Sequence, residues 1–257
     1  KVVSGCNTET LFWIDAFYKK IIKVGTHIAK SIKIAEASKV IENTQRDLNI
    51  ALINEFAIIF RKLDIDIDQV LDCAKTKWNF LDFKPGLVGG HCIGVDPYYL
   101  TYISELNGYK PEIVLAGRKL NDNMAFYVAN QIISYLPRKT NSIDTINGLI
   151  LGLTFKENCT DIRNSKVFDI IQHFSDMKID IEVFDPFVQN EISKKEFPFV
   201  LLKDLQNKKY EFILIAVAHN YFKEISIDEY KNFLKKENSF IFDLKNILPN
   251  DPQVKKL

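Results

Sequence analysis

A cysteine set in glycines is where the chemistry of this chain begins. Phe83-Lys84-Pro85-Gly86-Leu87-Val88-Gly89-Gly90-His91-Cys92-Ile93-Gly94-Val95-Asp96-Pro97 places Cys92 behind a histidine and four residues ahead of a carboxylate. Glycines permit a tight loop that comes close to a ligand. A thiol presented there, near charge, is a candidate nucleophile. A buried cysteine in a turn is the plain alternative. The density of glycine, Asp96 and the continuation Pro97-Tyr98-Tyr99-Leu100 favour the nucleophile. A second pair lies upstream. Lys39 and Asn43 are four residues apart, so on a helix both heads can address one atom. On their own they would be a solvated helix face.

Those residues need a scaffold, and the sequence predicts one. Thr8 to Lys23 has helical spacing, with Thr8 or Thr10 as N-cap, and a short strand follows near Thr26-Ile28. From Ser31 to about Leu63 no Gly or Pro interrupts a single long helix. At that length, roughly 45 Å, it must link domains or meet a second subunit. Ile53 and Phe56 are expected in such an interface. Asp66 to Ala74, Pro97 to Asn107 and Ile113 to Leu136 read as further helices, the last with a face of Leu115, Leu120, Phe126, Val128, Ile132 and Ile133 for a helical layer. Beyond a turn-like stretch, Arg138 to Ser142, short apolar strands alternate with helices: Thr145-Leu153, Ile179-Phe184, Phe212-Val217 and Ser239-Asp243, with helices at Ser165-Ser175 and Ile227-Leu234. That alternation predicts a parallel, doubly wound sheet, whose ligands bind at the carboxyl ends of the strands. Lys156, Asp185, His219 and Lys245 lie just past strand ends.

Composition sets limits. The 257 residues are 47% hydrophobic and 26% charged with net charge +1, which gives no electrostatic case for nucleic acid or an anionic membrane. Cys6, Cys73, Cys92 and Cys159 form no CxxC pair, so neither structural zinc nor a disulfide framework is expected, and no metal site is assigned. No apolar run reaches a membrane span, no signal peptide is expected, and a reducing, cytoplasmic setting is expected. No Gly-x-Gly-x-x-Gly follows a strand. The chain opens at Lys1 without Met, and residues 1–30 read as the tail of an α/β domain whose beginning lies upstream.

Three motifs carry a family resemblance over the whole chain. Ala35-Glu36-Ala37-Ser38-Lys39-Val40-Ile41-Glu42-Asn43-Thr44 resembles the central helix of the UDP-glucose/GDP-mannose dehydrogenase family. Gly89-Gly90-His91-Cys92-Ile93-Gly94-Val95-Asp96-Pro97 resembles its catalytic loop. Leu151-Gly152-Leu153-Thr154-Phe155-Lys156, followed by Asp161-Ile162-Arg163-Asn164-Ser165, resembles the opening of its third domain. The form with His91 is most similar to the branch acting on UDP-N-acetylhexosamines, which feeds capsule and O-antigen synthesis. The fold this implies is α/β: a long central helix with a helical dimerisation domain (31–137), then a Rossmann-like UDP-sugar domain (138–257), behind an NAD-binding domain represented by 1–30.

The resemblance implies oxidation of a sugar C6 alcohol to a carboxylate with two NAD. It casts Cys92 as the nucleophile that holds the aldehyde and Asp96 as a helper of water or proton transfer. Lys39 and Asn43 stabilise oxygen. Phe83, Gly86, Gly89, His91, Lys156 and Lys245 are substrate contacts, and Arg163 reaches NAD. His91 could equally be structural; His173 and His219 are read as structural. The long helix is expected to make a homodimer. Val95 stands where many UDP-glucose members carry lysine, which argues against UDP-glucose. Lys245 stands where arginine is frequent and lacks its planar fork. The rivals are a UDP-glucose or GDP-mannose enzyme, a non-catalytic nucleotide-sugar-binding remnant, and a cysteine hydrolase. A catalytic glutamate and threonine are expected outside this chain, which should not turn over by itself.

Overall fold

Asn7 rather than either threonine starts the first helix, its side chain accepting the Thr10 amide at 2.8 Å. In the computed structural model, which describes residues 1–137, 146–188, 199–205 and 208–257, that helix is α1 (Thr8–Ile21). It joins β1 (Val2–Val3) to the parallel β2 (His27–Ile28). Ser31 then caps the 31-residue α2 (Ile32–Lys62), and Asp66 caps α3 (Ile67–Ala74). The cysteine loop follows. It runs into α4 (Asp96–Leu106), where Pro97 occupies a first-turn position that needs no amide hydrogen.

The next helix, α5 (Glu112–Tyr135), has two partners. Its first half packs on α2, at a separation that suits Gly117: a Cβ there would lie 2.4 Å from Leu48 Cδ2. Its second half turns Ala125, Val128, Ala129 and Ile132, all fully buried, onto the sheet. Part of the face expected for a helical layer therefore belongs to the sheet's core, while Phe126 is 47% exposed.

That sheet consists of β3 (Asn147–Leu151), β4 (Asp180–Phe184), β5 (Val200–Leu201), β6 (Phe212–Ile215), β7 (Phe240–Asp243) and β8 (Val254–Lys256). All pairings are parallel, in the order β5-β4-β3-β6-β7-β8. Apolar cores form on both faces. One lies under α5 and α6 (Val167–Asp176); the other lies under α7 (Asn220–Lys223) and α8 (Ile227–Lys231). Strands sandwiched in this way are covered on both faces, which explains why Phe212–Ile215 and Phe240–Asp243 are buried throughout. The expected α/β, doubly wound parallel sheet is present. The two edge strands β5 and β8 and the one-turn α7 are additions to it. The strand expected from Thr145 starts at Asn147; Thr145 and the turn at 138–142 lie outside the described residues.

The order changes direction between β3 and β6, so their carboxyl ends open a crevice. Gly152 sits there with φ +92°, and a Cβ would come within 2.5 Å of Val217 Cβ and 3.0 Å of its backbone nitrogen. Gly152→Ala is therefore expected to lower stability by roughly 2–4 kcal/mol, from overpacking plus a strained φ. Urea unfolding checks this; an unchanged midpoint would contradict it.

Candidate active site

Each end of the cysteine loop is fastened to a different body. The Asn54 side chain, fully buried on α2, bonds both backbone groups of Gly86: Gly86 N donates to Oδ1 at 2.8 Å and Nδ2 donates to Gly86 O at 3.0 Å. Farther on, Gly89 and Gly90 abut the sheet body. A Cβ on Gly89 would fall 2.6 Å from Asn164 O, and one on Gly90 (φ +87°) 2.7 Å from the Phe155 ring. Gly90 N also donates to Asn164 O at 3.2 Å. The loop then turns, with the Cys92 carbonyl accepting from Val95 N (3.0 Å) and Asp96 N (2.8 Å). A four-residue helical turn puts the exposed Cys92 and Asp96 on one side.

Asp96 in turn meets the long helix. Asn43, only 3% exposed, donates from Nδ2 to Asp96 Oδ2 at 2.5 Å. Two residues singled out 53 positions apart are thus in contact. Lys39 lies one turn before Asn43, with its ammonium on Glu42 at 3.0 Å and its side chain 58% exposed. The hydrogen bond from Lys39 holds the Glu42 carboxyl below its ordinary range. An exposed pair of this kind is worth little and exchanges readily.

The other expected residues divide into two groups. At the rim beside Cys92, His91 Nε2 lies 2.9 Å from Asp161 Oδ2. Asp161 also takes three bonds from Arg163: from the backbone N, from Nε (both 3.0 Å) and from Nη2 (2.8 Å). Those bonds hold the Asp161 carboxyl far below the usual carboxylate range. Phe155 stands edge-on to His91, with the exposed Lys156 ammonium over its ring. At the far end, Lys84, Pro85 and Gly86 face Glu157, Lys245 and Asn246 across a cleft. Lys245 Nζ is 3.4 Å from Glu157, and Asn246 ties the walls together through a 2.6 Å bond to Asp68. Phe83 packs away from this cleft, on the cluster of Ile53, Ala57, Ile67 and Leu71; its neighbour Lys84 takes the lining position. Gly89 serves close packing on Asn164. Ile53, expected at a subunit interface, is 4% exposed inside the same cluster.

The sequence missed a buried polar network in the helical layer: Asp47, Asn54, Arg118 and Asn121 are at most 1% exposed. Burial works against the charge of Arg118, but Asp47 and Asp122 outweigh it and raise its pKa. Spacing carried a signal. Asp47 and Asn54 fall on the same helical stripe as Lys39 and Asn43.

A second buried network stands at the strand ends. His219, fully buried, accepts the Asn158 amide on Nδ1 at 2.9 Å, so the proton sits on Nε2, 3.1 Å from Asp185 Oδ2 and 3.2 Å from Thr154 Oγ1. Asp185 also accepts from the amides of Leu153 (2.6 Å) and Phe187 (2.8 Å). His173 bonds Asn130 at 3.0 Å. Among the described residues no cluster of His, Cys, Asp and Glu could hold a metal, and no helix is long and apolar enough to cross a membrane.

A helical body with an exposed cysteine loop, closed against a doubly wound parallel sheet, is the architecture these observations define. The family comparisons agree. Residues 33–123 match the central domain, and residues 149–250 the UDP binding domain, of the UDP-glucose/GDP-mannose dehydrogenase family. The chain belongs to that family. It is 49% identical over 249 residues to the UDP-N-acetyl-D-glucosamine 6-dehydrogenase of Salmonella typhi, a match covering 97% of this chain and 58% of that protein. It is also 49% identical to Protein CapL of Staphylococcus aureus, covering 98% and 59%. The chain thus spans a little under three fifths of these relatives. Among solved structures, the UDP-N-acetyl-mannosamine dehydrogenase Cap5O from S. aureus aligns with a TM-score of 0.79 at 27% identity, over 99% of this chain and 58% of that one. The NDP-N-acetyl-D-galactosaminuronic acid dehydrogenase from Methanosarcina mazei Go1 has the same fold, with a TM-score of 0.85 at 24% identity, over 99% and 57%.

Burial opposes ionisation of Asp185, but the His219, Leu153 and Phe187 hydrogen bonds outweigh it and keep its pKa below normal. A carboxyl whose folded pKa is depressed adds stability above its unfolded pKa and loses it as the pH falls. Asp185→Asn should cost roughly 2–4 kcal/mol at neutral pH. The gap between the variant and the parent should narrow below about pH 4. Urea melts at pH 7 and pH 3 test this; a gap of constant size would refute it.

Proposed function

We propose that the protein oxidises the C6 alcohol of a UDP-N-acetylhexosamine to the uronic acid in two two-electron stages, using NAD, in the synthesis of a capsule or O-antigen type polysaccharide. The observation that carries this is the arrangement around the exposed Cys92: its helical turn delivers Asp96 onto Asn43. UDP-N-acetylglucosamine is the epimer we favour, because relatives with that printed activity are 49% identical to this chain.

The first stage converts the alcohol to an aldehyde. Cys92 Sγ then adds to the aldehyde carbon, forming a C–S bond while its proton leaves to a base. The carbonyl oxygen takes up negative charge, which Asn43 Nδ2 and the Lys39 ammonium would stabilise from one helix face. Loss of a second hydride leaves a thioester, and water helped by Asp96 cleaves the C–S bond, giving the carboxylate and restoring the thiol. Lys39 must leave Glu42 to take part. In this reading the cleft between Gly86 and Lys245 holds the nucleotide, with Lys156 and His91 on the sugar side, and the helical and sheet bodies are separate domains meeting near residue 138.

NAD, when bound, supplies the hydride acceptor for both stages. The sheet's own switch point does not suit it: Asp185, where dinucleotide folds use an acid for ribose, is 3% exposed and bonded inward. Arg163 does suit it, with a side chain 74% exposed whose guanidinium pairs with Asp161 at the surface. A cytoplasmic homodimer completes the proposal, built on apolar residues left exposed on α2 and α4: Ile41 (67%), Ile59 (42%), Ile103 (55%) and Leu106 (66%).

The intact gene product should form two NADH per UDP-N-acetylglucosamine. Cys92→Ser should reduce acid formation at least about a thousandfold while leaving UDP-sugar affinity within a few fold. Acid formed at the parent rate would sink the mechanism; no NADH with any UDP-sugar, UDP-glucose or GDP-mannose would sink the activity. Ile59→Asp should shift the sedimentation coefficient from dimer to monomer, and an unchanged dimer would remove α2 from the interface.

A further inference from the structure

The buried stripe of α2 leads from the site into the helical layer without a break. The second hydrogen on Asn54 Nδ2 goes to Asn121 Oδ1 at 2.9 Å. Asn121 Nδ2 donates to the Asp47 carbonyl at 2.9 Å and to Asp47 Oδ1 at 2.7 Å. Arg118 Nη1 donates to that same Oδ1 at 2.6 Å, and its other arm reaches Asp122. The Arg118 guanidinium lies 5.5 Å from the centre of the Tyr98 ring, and Tyr98 Oη donates to Asp122. Tyr98 is two residues past Asp96. Gly94, two residues before Asp96, has its missing Cβ position 3.6 Å from the same guanidinium. One run of contacts therefore begins buried at Gly86, in the cleft wall, and comes to the surface at Tyr98 and Gly94, on both flanks of Asp96.

Stability does not explain this run. Asp47 Oδ2 and Arg118 Nε have no hydrogen-bond partner among the described residues, and buried ion pairs are often no better than apolar side chains of equal volume. What the run supplies is direction. An amide that bonds both the N–H and the C=O of one residue fixes that residue in position and orientation. A guanidinium held by two carboxylates fixes the ring it lies against.

Resting on the oxidation proposed above, we propose that Asn54 and Arg118 are positioning residues. With Asn121 and Asp47 they form a buried clamp that grips the cysteine loop at Gly86 and at the Gly94–Tyr98 turn. The clamp sets where Cys92 stands relative to the nucleotide cleft and to the Asn43–Asp96 pair. Neither residue touches substrate; each acts through backbone or ring that others use. Nucleotide binding at Gly86 and thiol placement at Cys92 are then mechanically coupled, since Asn54 at one end of the loop and Arg118 at the other are joined through Asn121 and Asp47.

The test uses Asn54→Ser, which is too short to span to Gly86, and Arg118→Lys, which keeps the charge but loses the fork. Amide hydrogen exchange is followed along the chain, UDP affinity by calorimetry, and kcat and KM in the intact enzyme. Exchange over residues 84–98 should rise at least about tenfold in each variant while the sheet strands stay protected. In the intact enzyme kcat should fall roughly ten- to a hundredfold, with KM for NAD unchanged. Equal loosening of loop and sheet, or unchanged exchange with unchanged kcat, would overturn the clamp. If Asn54→Ser fails to fold, Arg118→Lys decides by the same readouts. The exchange readout needs no activity. A loop that loosens selectively in a protein that oxidises no UDP-sugar would uphold the clamp and reject the oxidation.

Discussion

Everything at the site depends on the seam between α5 and the sheet. Ala125, Val128, Ala129 and Ile132 have no exposed surface, and they lie in one apolar core with Ile150, Phe174 and Phe212. That seam fastens a helical body carrying Asn43 and Asp96 to a sheet body carrying Lys156, Arg163 and Lys245. The cysteine loop runs along the junction, so its glycines can pack on Asn164 and Phe155 only while the seam holds. Small residues at 125 and 129 let the helix come close, and each is too tightly enclosed for a larger side chain without displacement of its neighbours. Geometry around Cys92 is thus inherited from apolar packing remote from it.

Three cations of the site are already spoken for. Lys39 rests on Glu42, Lys245 on Glu157, and Arg163 on Asp161. All three pairs are partly exposed, so an arriving anion exchanges one partner for another instead of meeting a bare charge. The carboxylates Glu42, Asp161 and Glu157 are all held below their ordinary pKa, Glu157 by Lys245 in spite of burial. They remain ionised across the neutral range and act as placeholders for those side chains.

Much of this was legible in residue order. The long helix announced itself by the lack of Gly and Pro over 31 positions, and the parallel sheet by strands apolar on both faces. The glycine loop and the i, i+4 pair pointed to one another, and Asn43 does bond Asp96. Three things were hidden, each for a physical reason. Edge strands β5 and β8 have two and three residues, too few for any period to register. Which side of its loop Phe83 takes depends on the apolar cluster of α2 and α3, which exists only after folding. Asp47, Asn54, Arg118 and Asn121 drew no reading from the sequence, because polar residues on helices usually face solvent and only tertiary packing turns these inward. Ile53 misled for the same reason in reverse: an apolar residue on a long helix does not declare whether its own chain or another covers it.

The His219 contacts carry a consequence for the loops at the strand ends. Asn220 N donates to Asn158 Oδ1, Asn158 N donates to His219 Nδ1, and His219 Nε2 donates to Asp185. Every bond in that series is donated in the direction of Asp185, so each residue hands a hydrogen to the next. The hydrogens of the series end on the buried carboxylate of Asp185, and the series starts at the exposed Asn220. The loops that follow β3, β4 and β6 are thus tied through neutral groups to one buried negative charge. The order of donation cannot be reversed without turning over the imidazole ring.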